Sequence, residues 1–267
     1  MAASSPGKED LADAEWRVRR EERLRDPFGW LSITALHWLP EGETRIDELA
    51  GTFLREGSRV FFVPEPGAPP ALVINGERAS KRIEVRPDRD DGKGDRIEAG
   101  GVRVEVIERT AGLGVRLRDP ASERRANFPG LGWYPLRAEW RVRARWNPAP
   151  GGAEVGIENI LGGTERWQPA GDAVFPHQGR ERRLLGLVSG HQALFIFKDR
   201  TNGRTTYGPG RFLYAAIPAP REPIELNFNR AYHPPCAFNP FTTCPLAPPR
   251  NRLDFEIEAG EKFKYSE

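Results

Sequence analysis

"RAEWRVRARW", residues 137–146, is the stretch that decides the fold class. Within it Trp140, Val142, Ala144 and Trp146 alternate with three arginines. Successive side chains of a β-strand point to opposite faces of a sheet, so this alternation predicts a strand with one buried and one solvated face.

Similar patterns extend along the chain in both directions. Between residues 43 and 119 the runs "RVFFV", "ALVING", "GVRVEVIER" and "GVRLRD" are rich in β-branched residues and are separated by Gly, Pro and Asp. After the opening stretch come "EVGIENI", "LLGLV", "ALFIFKD", "RFLYAAI", "IELNFN" and "LDFEIEAG". The sequence therefore predicts a mainly β protein: an N-terminal helix within residues 1–28, a small β-sandwich over 29–125, and a larger antiparallel β domain, sandwich or barrel, over 126–267.

The N-terminal segment has a helical pattern. Residues 8–25 place Leu11, Trp16 and Leu24 among many charged residues, which is typical of a surface helix that docks through its apolar positions. The Asp-Pro pair that follows should end this helix. The next stretch, "GWLSITALHWLPEG", is continuously apolar and is compatible with either a buried strand or a short helix.

Composition and motifs exclude several classes of function. Lys and Arg number 40 and Asp and Glu number 38, so no net charge favours nucleic acid or a membrane as partner. No signal-peptide core or membrane-length apolar run occurs, which predicts a cytoplasmic protein. Nucleophile-elbow, zinc-protease, Walker and dinucleotide-binding motifs are missing, so no cofactor is expected. The sequence does not determine the oligomeric state.

The least ordinary stretch is "NRAYHPPCAFNPFTTCPLAPPRNRL", residues 229–253. It holds six prolines between His233 and Pro249 and both cysteines of the chain. Prolines restrict the unfolded chain, so the segment should form a rigid loop that closes the larger domain. Structureless segments of this length are usually functional or disordered, which makes this one a candidate site.

A second candidate is "DRTNGRTTYGPGR", residues 199–211. Its Asn-Gly pair predicts a type I′ hairpin turn, which would bring Tyr207 and the strand that bears Arg211 toward one pocket. Arg211 could then bind a carboxylate or phosphate through two parallel hydrogen bonds. It could equally pair with an internal acid such as Asp199 or Glu258.

The two cysteines allow three interpretations. Cys236 and Cys244 are separated by seven residues, which is too wide for a C-x-x-C motif, and buried thiols are the interpretation we favour. A disulfide or redox pair requires the loop to bring the Cα atoms within about 5.5 Å. A zinc site would need His233 or His177, and no metal is expected.

The strings "FKDRTNGRTTYGPGRFL", "LNFNRAYHPPCAFNPFTTCPLAPPRNRL" and "IEAGEKF" closely resemble a bacterial and archaeal family known as domain of unknown function 1684. The resemblance covers most of residues 130–264, and "GWLSITALHWLPEG" and "FPGLGWYP" are similar to it as well. Residues 42–119, with their "VINGE" turn and the later "GGVRVEVIER", resemble a forkhead-associated-type sandwich. They lack that fold's Ser-Arg-x-x-His and Asn-Gly-Thr phosphothreonine-reading elements.

These observations predict a pocket for a small polar or anionic molecule in the C-terminal β domain, under the proline-rich loop. If catalysis occurs, Tyr207 or Asp199 is the best proton carrier. The alternative is a noncatalytic interaction or scaffold module that uses the N-terminal sandwich. The residues predicted to line the pocket are Tyr207, Arg211, Asn229, Tyr232, Cys236, Cys244 and Asn251.

Overall fold

The computed structural model describes residues 7–67, 69, 72–88 and 94–264. The protein is mainly β, with an N-terminal helix and several antiparallel sheets, as predicted. It divides into two compact units: the larger comprises residues 1–22, 129–238 and 244–267, and the smaller comprises residues 23–128 and 239–243. The division does not follow chain order, because five residues of the proline-rich segment group with the smaller unit.

Helix α1 (Lys8–Arg25) occupies the predicted residues, but its buried positions include charged side chains as well as apolar ones. Asp13 and Arg20 are almost fully buried, whereas Leu11 is 53% exposed. The Asp13 carboxylate accepts hydrogen bonds from Arg141, the shorter being 2.7 Å. Of the three predicted docking residues, Leu24 is fully buried and Trp16 is half-buried, whereas the prediction for Leu11 is wrong.

The smaller unit consists of two antiparallel sheets. Their strand orders are β1-β10-β9-β8-β5-β6 and β2-β3-β4-β7. The strands are β1 (Ile33–Trp38), β2 (Gly42–Arg45), β3 (Gly51–Glu56), β4 (Arg59–Pro64), β5 (Leu72–Ile74), β6 (Glu77–Arg78), β7 (Ile83–Val85), β8 (Ile97–Ala99), β9 (Val102–Arg109) and β10 (Gly112–Arg118), followed by helix α2 (Glu123–Ala126).

One apolar core joins these two sheets. Phe53 and Phe62 of the four-stranded sheet belong to the same buried cluster as Val104 and Val115 of the six-stranded sheet. The "VINGE" turn is a tight hairpin between β5 and β6, with φ of 52° at Asn75. The stretch "GWLSITALHWLPEG" contains both predicted alternatives, a 3-10 turn at Trp30–Ser32 and then strand β1.

The larger unit is built on a six-stranded sheet of order β18-β17-β16-β15-β12-β19. Its end strands β18 and β19 approach each other, so the sheet is nearly closed into a barrel. The strands of this unit are β11 (Gly132–Trp133), β12 (Arg141–Pro148), β13 (Val155–Glu158), β14 (Thr164–Trp167), β15 (Pro169–His177), β16 (Arg180–Ser189), β17 (Gln192–Phe197), β18 (Arg211–Ala216), β19 (Ile224–Asn227) and β20 (Glu261–Lys262).

Both faces of this sheet are buried around strand β17. Phe195 and Phe197 contribute to the interior cluster, whereas Leu194 and Ile196 contribute to a second cluster on the opposite face. Strand β13 and the proline-rich segment cover that opposite face through Ile157 and other residues. A strand with two covered faces needs a continuous apolar run, which explains "ALFIF".

The stretch "LDFEIEAG" has the burial pattern of a strand but is not one. Leu253, Phe255, Ile257 and Ala259 are buried in the barrel interior and the residues between them are exposed. The segment belongs to none of the sheets, so the predicted strand is wrong although its alternation is correct. Within the described ranges, no helix is long and apolar enough to cross a membrane.

Candidate functional site

The first predicted site residue, Arg211, belongs to a buried ion pair. Its Nη2 atom donates to Asp199 Oδ2 at 2.6 Å, and neither side chain is exposed. The other carboxylate oxygen of Asp199 accepts from Thr201 N and from Thr201 Oγ1. The ligand role predicted for Arg211 and the proton-carrier role predicted for Asp199 do not fit this geometry, because neither side chain is exposed and the two groups are paired with each other.

This ion pair helps to hold the strand-like segment, which belongs to none of the sheets, in the barrel interior. Arg211 donates from Nη1 to the carbonyl oxygen of Ala259 at 2.6 Å and from Nη2 to that of Ile257 at 2.8 Å. Asp199 Oδ1 accepts the N–H of Ile257 at 3.3 Å. Buried backbone groups need partners. The backbone of residues 198–200 supplies them for Leu253 and Phe255, and the charged pair supplies them for Ile257 and Ala259.

Two predicted asparagines are also structural clamps. Asn229 exchanges two hydrogen bonds with the backbone of Arg137, accepting at 3.1 Å and donating at 2.9 Å. Asn251 accepts from Leu185 N at 2.7 Å and donates to the carbonyl oxygens of Leu185 and Ile196. Both side chains are almost fully buried, so these amides serve as the hydrogen-bond partners of backbone groups that water does not reach.

The Asn-Gly turn differs from its prediction. Strands β17 and β18 are joined by the thirteen residues 198–210, and Asn202 is not among the residues with positive φ, whereas Gly203 has φ of 81°. A type I′ turn needs positive φ at both positions, so that prediction is wrong. Asn202 instead donates to the carbonyl oxygen of Tyr207 at 2.6 Å and organises a compact loop.

Four of the predicted residues lie close together around the start of the proline-rich segment. Tyr207 donates its hydroxyl to the carbonyl oxygen of Cys236 at 3.0 Å. The N–H of Cys236 donates to Sγ of Cys244 at 3.3 Å. Tyr232 packs edge-on against Phe212, in the same apolar cluster as the two cysteines.

The pKa values of this cluster follow from its geometry. A hydrogen bond from Cys244 lowers the pKa of the Cys236 thiol against the opposing effect of burial, and the Tyr207 hydroxyl lowers this pKa further. Burial raises the pKa of Tyr207, and Cys236 adds to that increase. A raised pKa makes Tyr207 a poor proton carrier near neutral pH, so its predicted catalytic role is weakened.

Next to this cluster lies a buried charge network that sequence reasoning missed. Glu261 Oε1 lies 3.1 Å from Nδ1 of His233, and its Oε2 lies 3.3 Å from Nε of Arg20. Arg20 also donates to the carbonyl oxygen of His233 at 2.9 Å and packs over the ring of Tyr232. The high charge density of the helix is the sequence signal for this network, but such a pattern is also typical of a solvent-exposed helix face.

This network assigns the proton of His233. Its Nε2 accepts the N–H of Tyr207 at 3.2 Å, so the proton of a neutral imidazole lies on Nδ1 and faces Glu261. His177, the other histidine proposed for zinc, stacks on Phe255 at a centroid distance of 3.8 Å. In the described part of the chain, no three His, Cys, Asp or Glu side chains are arranged to hold a metal ion.

A cavity of about 440 Å³ lies elsewhere in the larger unit. Its walls come from the loop between β17 and β18, through Gly208 and Pro209, from the proline-rich segment, and from β13. The two segments predicted to enclose a pocket, residues 199–211 and 229–253, thus both contribute to the walls of this cavity. None of the seven residues predicted to line the pocket lines it. The lining residues are Gly156, Ile157, Glu158, Ile160, Lys198, Gly208, Pro209, Leu246, Ala247, Pro248, Pro249 and Arg252.

Two cations are held side by side at this cavity. Lys198 and Arg252 form an isolated parallel bridge, with Lys198 N donating to Asn251 O at 3.0 Å and Leu253 N donating to Lys198 O at 2.8 Å. Bridge partners place their side chains on the same side. Among the residues that the structure describes, no carboxylate lies within ion-pair distance of either cation. Glu158 is the acidic residue of the lining.

The architecture and cavity define an antiparallel β protein whose larger unit, a nearly closed barrel, carries a proline-walled hollow. The chain belongs to the family described as "Protein of unknown function (DUF1684)", whose model matches residues 126–262, and the predicted membership is confirmed.

Comparison with solved structures and with curated proteins adds little to this. The solution NMR structure of an uncharacterized protein from Haloarcula marismortui is 25% identical and has a TM-score of 0.45, covering 54% of this chain and 81% of that one. No curated protein matches this chain.

Proposed function

We propose that the larger unit binds a small organic anion in the cavity beside Lys198 and Arg252. The observation that carries this proposal is the parallel bridge that sets these two cations side by side, where no carboxylate of the described residues lies within ion-pair distance of either. Like charges at directly paired positions destabilise a β arrangement. A bound carboxylate or phosphate would remove that repulsion, and its hydrogen bonds to cations would be the stronger, charge-assisted kind.

The remaining walls limit the chemical class of the ligand. Ile157 and Ala247 are buried apolar residues of the lining, and Leu246 adds apolar area beside them. A volume of about 440 Å³ is in the range of small-molecule sites, which are mostly apolar with a few polar groups that orient the ligand. We therefore expect an anionic head group attached to an apolar body.

Rigidity supports binding at this place. Pro209, Pro248 and Pro249 form part of the wall. The proline-rich segment is fastened to strand β13 and the turn after it by hydrogen bonds from Leu246 N to Glu158 O at 2.7 Å and from Ile160 N to Cys244 O at 2.9 Å. A preformed wall reduces the conformational entropy lost on binding.

The proposal keeps the predicted ligand class and unit but replaces the predicted residues. The alternative, an interaction module built on the sandwich, calls for an exposed apolar patch there. Among the described residues of the smaller unit, Val63 is the large apolar side chain that is exposed, at 38%. One isolated valine favours the cavity proposal over that alternative.

The test is binding of a panel of alkyl and aryl carboxylates and phosphate monoesters, screened by thermal shift and measured by calorimetry. We expect at least one compound to bind, and Lys198→Met and Arg252→Met each to weaken its affinity by about tenfold, because a hydrogen bond to a charged group contributes about 1.5 kcal/mol or more. Raised salt should weaken wild-type binding and affect the variants less.

Arg200→Met is the matched control, because Arg200 is an exposed cation two residues from Lys198 that does not line the cavity. It should bind the same compound as tightly as the wild type. Equal affinity of the wild type and both cavity variants, or no binding across the panel, would refute the proposal.

A further inference from the structure

The two cysteines of the chain lie together although seven residues separate them. The N–H of Cys236 donates to Sγ of Cys244 at 3.3 Å, and both residues are thiols. Cys236 occupies the middle of the 3-10 turn Pro235–Ala237, and Pro245 directly follows Cys244. Pro235 and Pro245 have fixed φ angles, which limits the backbone movements that could separate the two sulfurs.

The surroundings make the two thiols unequal. Cys236 is half-buried and therefore accessible to a small reagent, whereas Cys244 is 6% exposed. The thiolate is the reactive form of cysteine, and hydrogen bonds from Cys244 and Tyr207 lower the pKa of Cys236. Cys236 thus has the properties of an attacking thiol, and Cys244 those of the partner that resolves the product.

We propose that Cys236 and Cys244 form a reversible intramolecular disulfide by exchange with a low-molecular-weight disulfide. The Cys236 thiolate attacks one sulfur of that disulfide, a new S–S bond forms, and one small thiolate leaves. Cys244 then loses its proton and attacks Sγ of Cys236, which releases the second small thiol. One disulfide is reduced to two thiols for each protein disulfide formed, so atoms and electrons balance.

The experiment uses the full chain equilibrated with mixtures of reduced and oxidised glutathione, quenched by alkylation and digested for mass spectrometry. We expect one internal Cys236–Cys244 linkage at the oxidising end of the series and full return to two alkylated thiols at the reducing end. Two unmodified thiols in fully oxidised glutathione, or glutathione on both cysteines without an internal linkage, would overturn the proposal.

Single variants test the order of the two steps. Cys244→Ser should stop the reaction at a glutathione adduct on Cys236, whereas the thiol that remains in Cys236→Ser should react about tenfold more slowly, because Cys244 is buried and less accessible to the reagent. Equal rates for the two variants would contradict the assignment of Cys236 as the attacking thiol.

A pH profile separates reactivity from a merely structural role. The rate of Cys236 alkylation by iodoacetamide should rise with pH at a midpoint that shifts upward in Tyr207→Phe and in Cys244→Ala, because each variant removes a side chain that lowers the pKa of Cys236. Tyr214→Phe, a partly exposed tyrosine outside the cluster, is the control and should leave the midpoint in place. Unchanged midpoints in both cluster variants would count against the mechanism.

Discussion

The Nη2 atom of Arg211 lies 2.6 Å from Oδ2 of Asp199, and neither side chain is exposed to solvent. Arg211 also donates to the carbonyl oxygens of Ile257 and Ala259, so one guanidinium links strand β18 to an extended segment that belongs to none of the sheets. The arginine that the sequence predicted to bind an anionic ligand thus stabilises the interior of the barrel instead.

Replacing this arginine should destabilise the protein strongly. Arg211→Met leaves Asp199 charged and buried without its partner, and we expect the free energy of unfolding to fall by about 3 to 5 kcal/mol. Denaturant titration measures this value. Arg145→Met is the control, because the pair of Arg145 with Glu181 is exposed and should contribute less than about 1 kcal/mol. Similar losses in the two variants would contradict the structural role of Arg211.

Glu261 should make stability depend on pH in acid. Burial by itself raises the pKa of Glu261, but Arg20 and His233 outweigh burial and hold the pKa below its ordinary value of 4.5. A lowered native pKa means that the unfolded chain binds more protons, so the stabilisation is complete above pH 4.5 and is lost as the pH falls through the native pKa.

Glu261→Gln should therefore be less stable at neutral pH and should lose less stability between neutral pH and acid than the wild type. Unfolding free energies measured across that range check the slope. Glu181→Gln, which changes an exposed carboxylate, should keep the wild-type slope. If Glu261→Gln also keeps it, the native pKa of Glu261 is not lowered.

Removal of the Asn251 amide should loosen the strands that it joins. Asn251→Ala leaves Leu185 N–H and the carbonyl oxygens of Leu185 and Ile196 without these partners, and we expect a loss of about 2 to 4 kcal/mol. Hydrogen exchange of the Leu185 amide should accelerate in the variant. Asn147→Ala removes an amide bonded to exposed Arg145 and should have little effect; an unchanged Leu185 exchange rate would argue against the clamp.

Filling the cavity should abolish binding without unfolding the protein. A Cβ atom at Gly208 would have its nearest neighbour 4.0 Å away, so Gly208→Leu can be accommodated while its side chain occupies the cavity wall. We expect the affinity for the best organic anion of the panel to fall by tenfold or more, which is about 1.4 kcal/mol. Gly151→Leu, at an open position outside the lining, should bind normally. Normal binding by Gly208→Leu would place the ligand elsewhere.

The sequence by itself determined the secondary structure of most of the chain, because a period of two or 3.6 residues is a local property. The limits of the helix at residues 8–25 and the family motifs followed from neighbouring residues, as did the strand in "RAEWRVRARW", although that strand begins only at Arg141, after a 3-10 turn at Ala138–Trp140. The same local signal misassigned "LDFEIEAG", since alternation reports which side chains are buried and not which backbone groups are paired.

Only the tertiary structure decided which polar side chains form internal hydrogen bonds and ion pairs that stabilise the fold. Arg20 and Glu261 are 241 residues apart in the chain. A backbone bridge likewise brings Lys198 next to Arg252, 54 residues further along the chain. Whether a charge is available to a ligand depends on such long-range contacts, because desolvation and pairing arise only when the chain is folded. The folded structure therefore uses Arg211 to hold the interior of the barrel together, and it places Lys198 and Arg252 at the cavity.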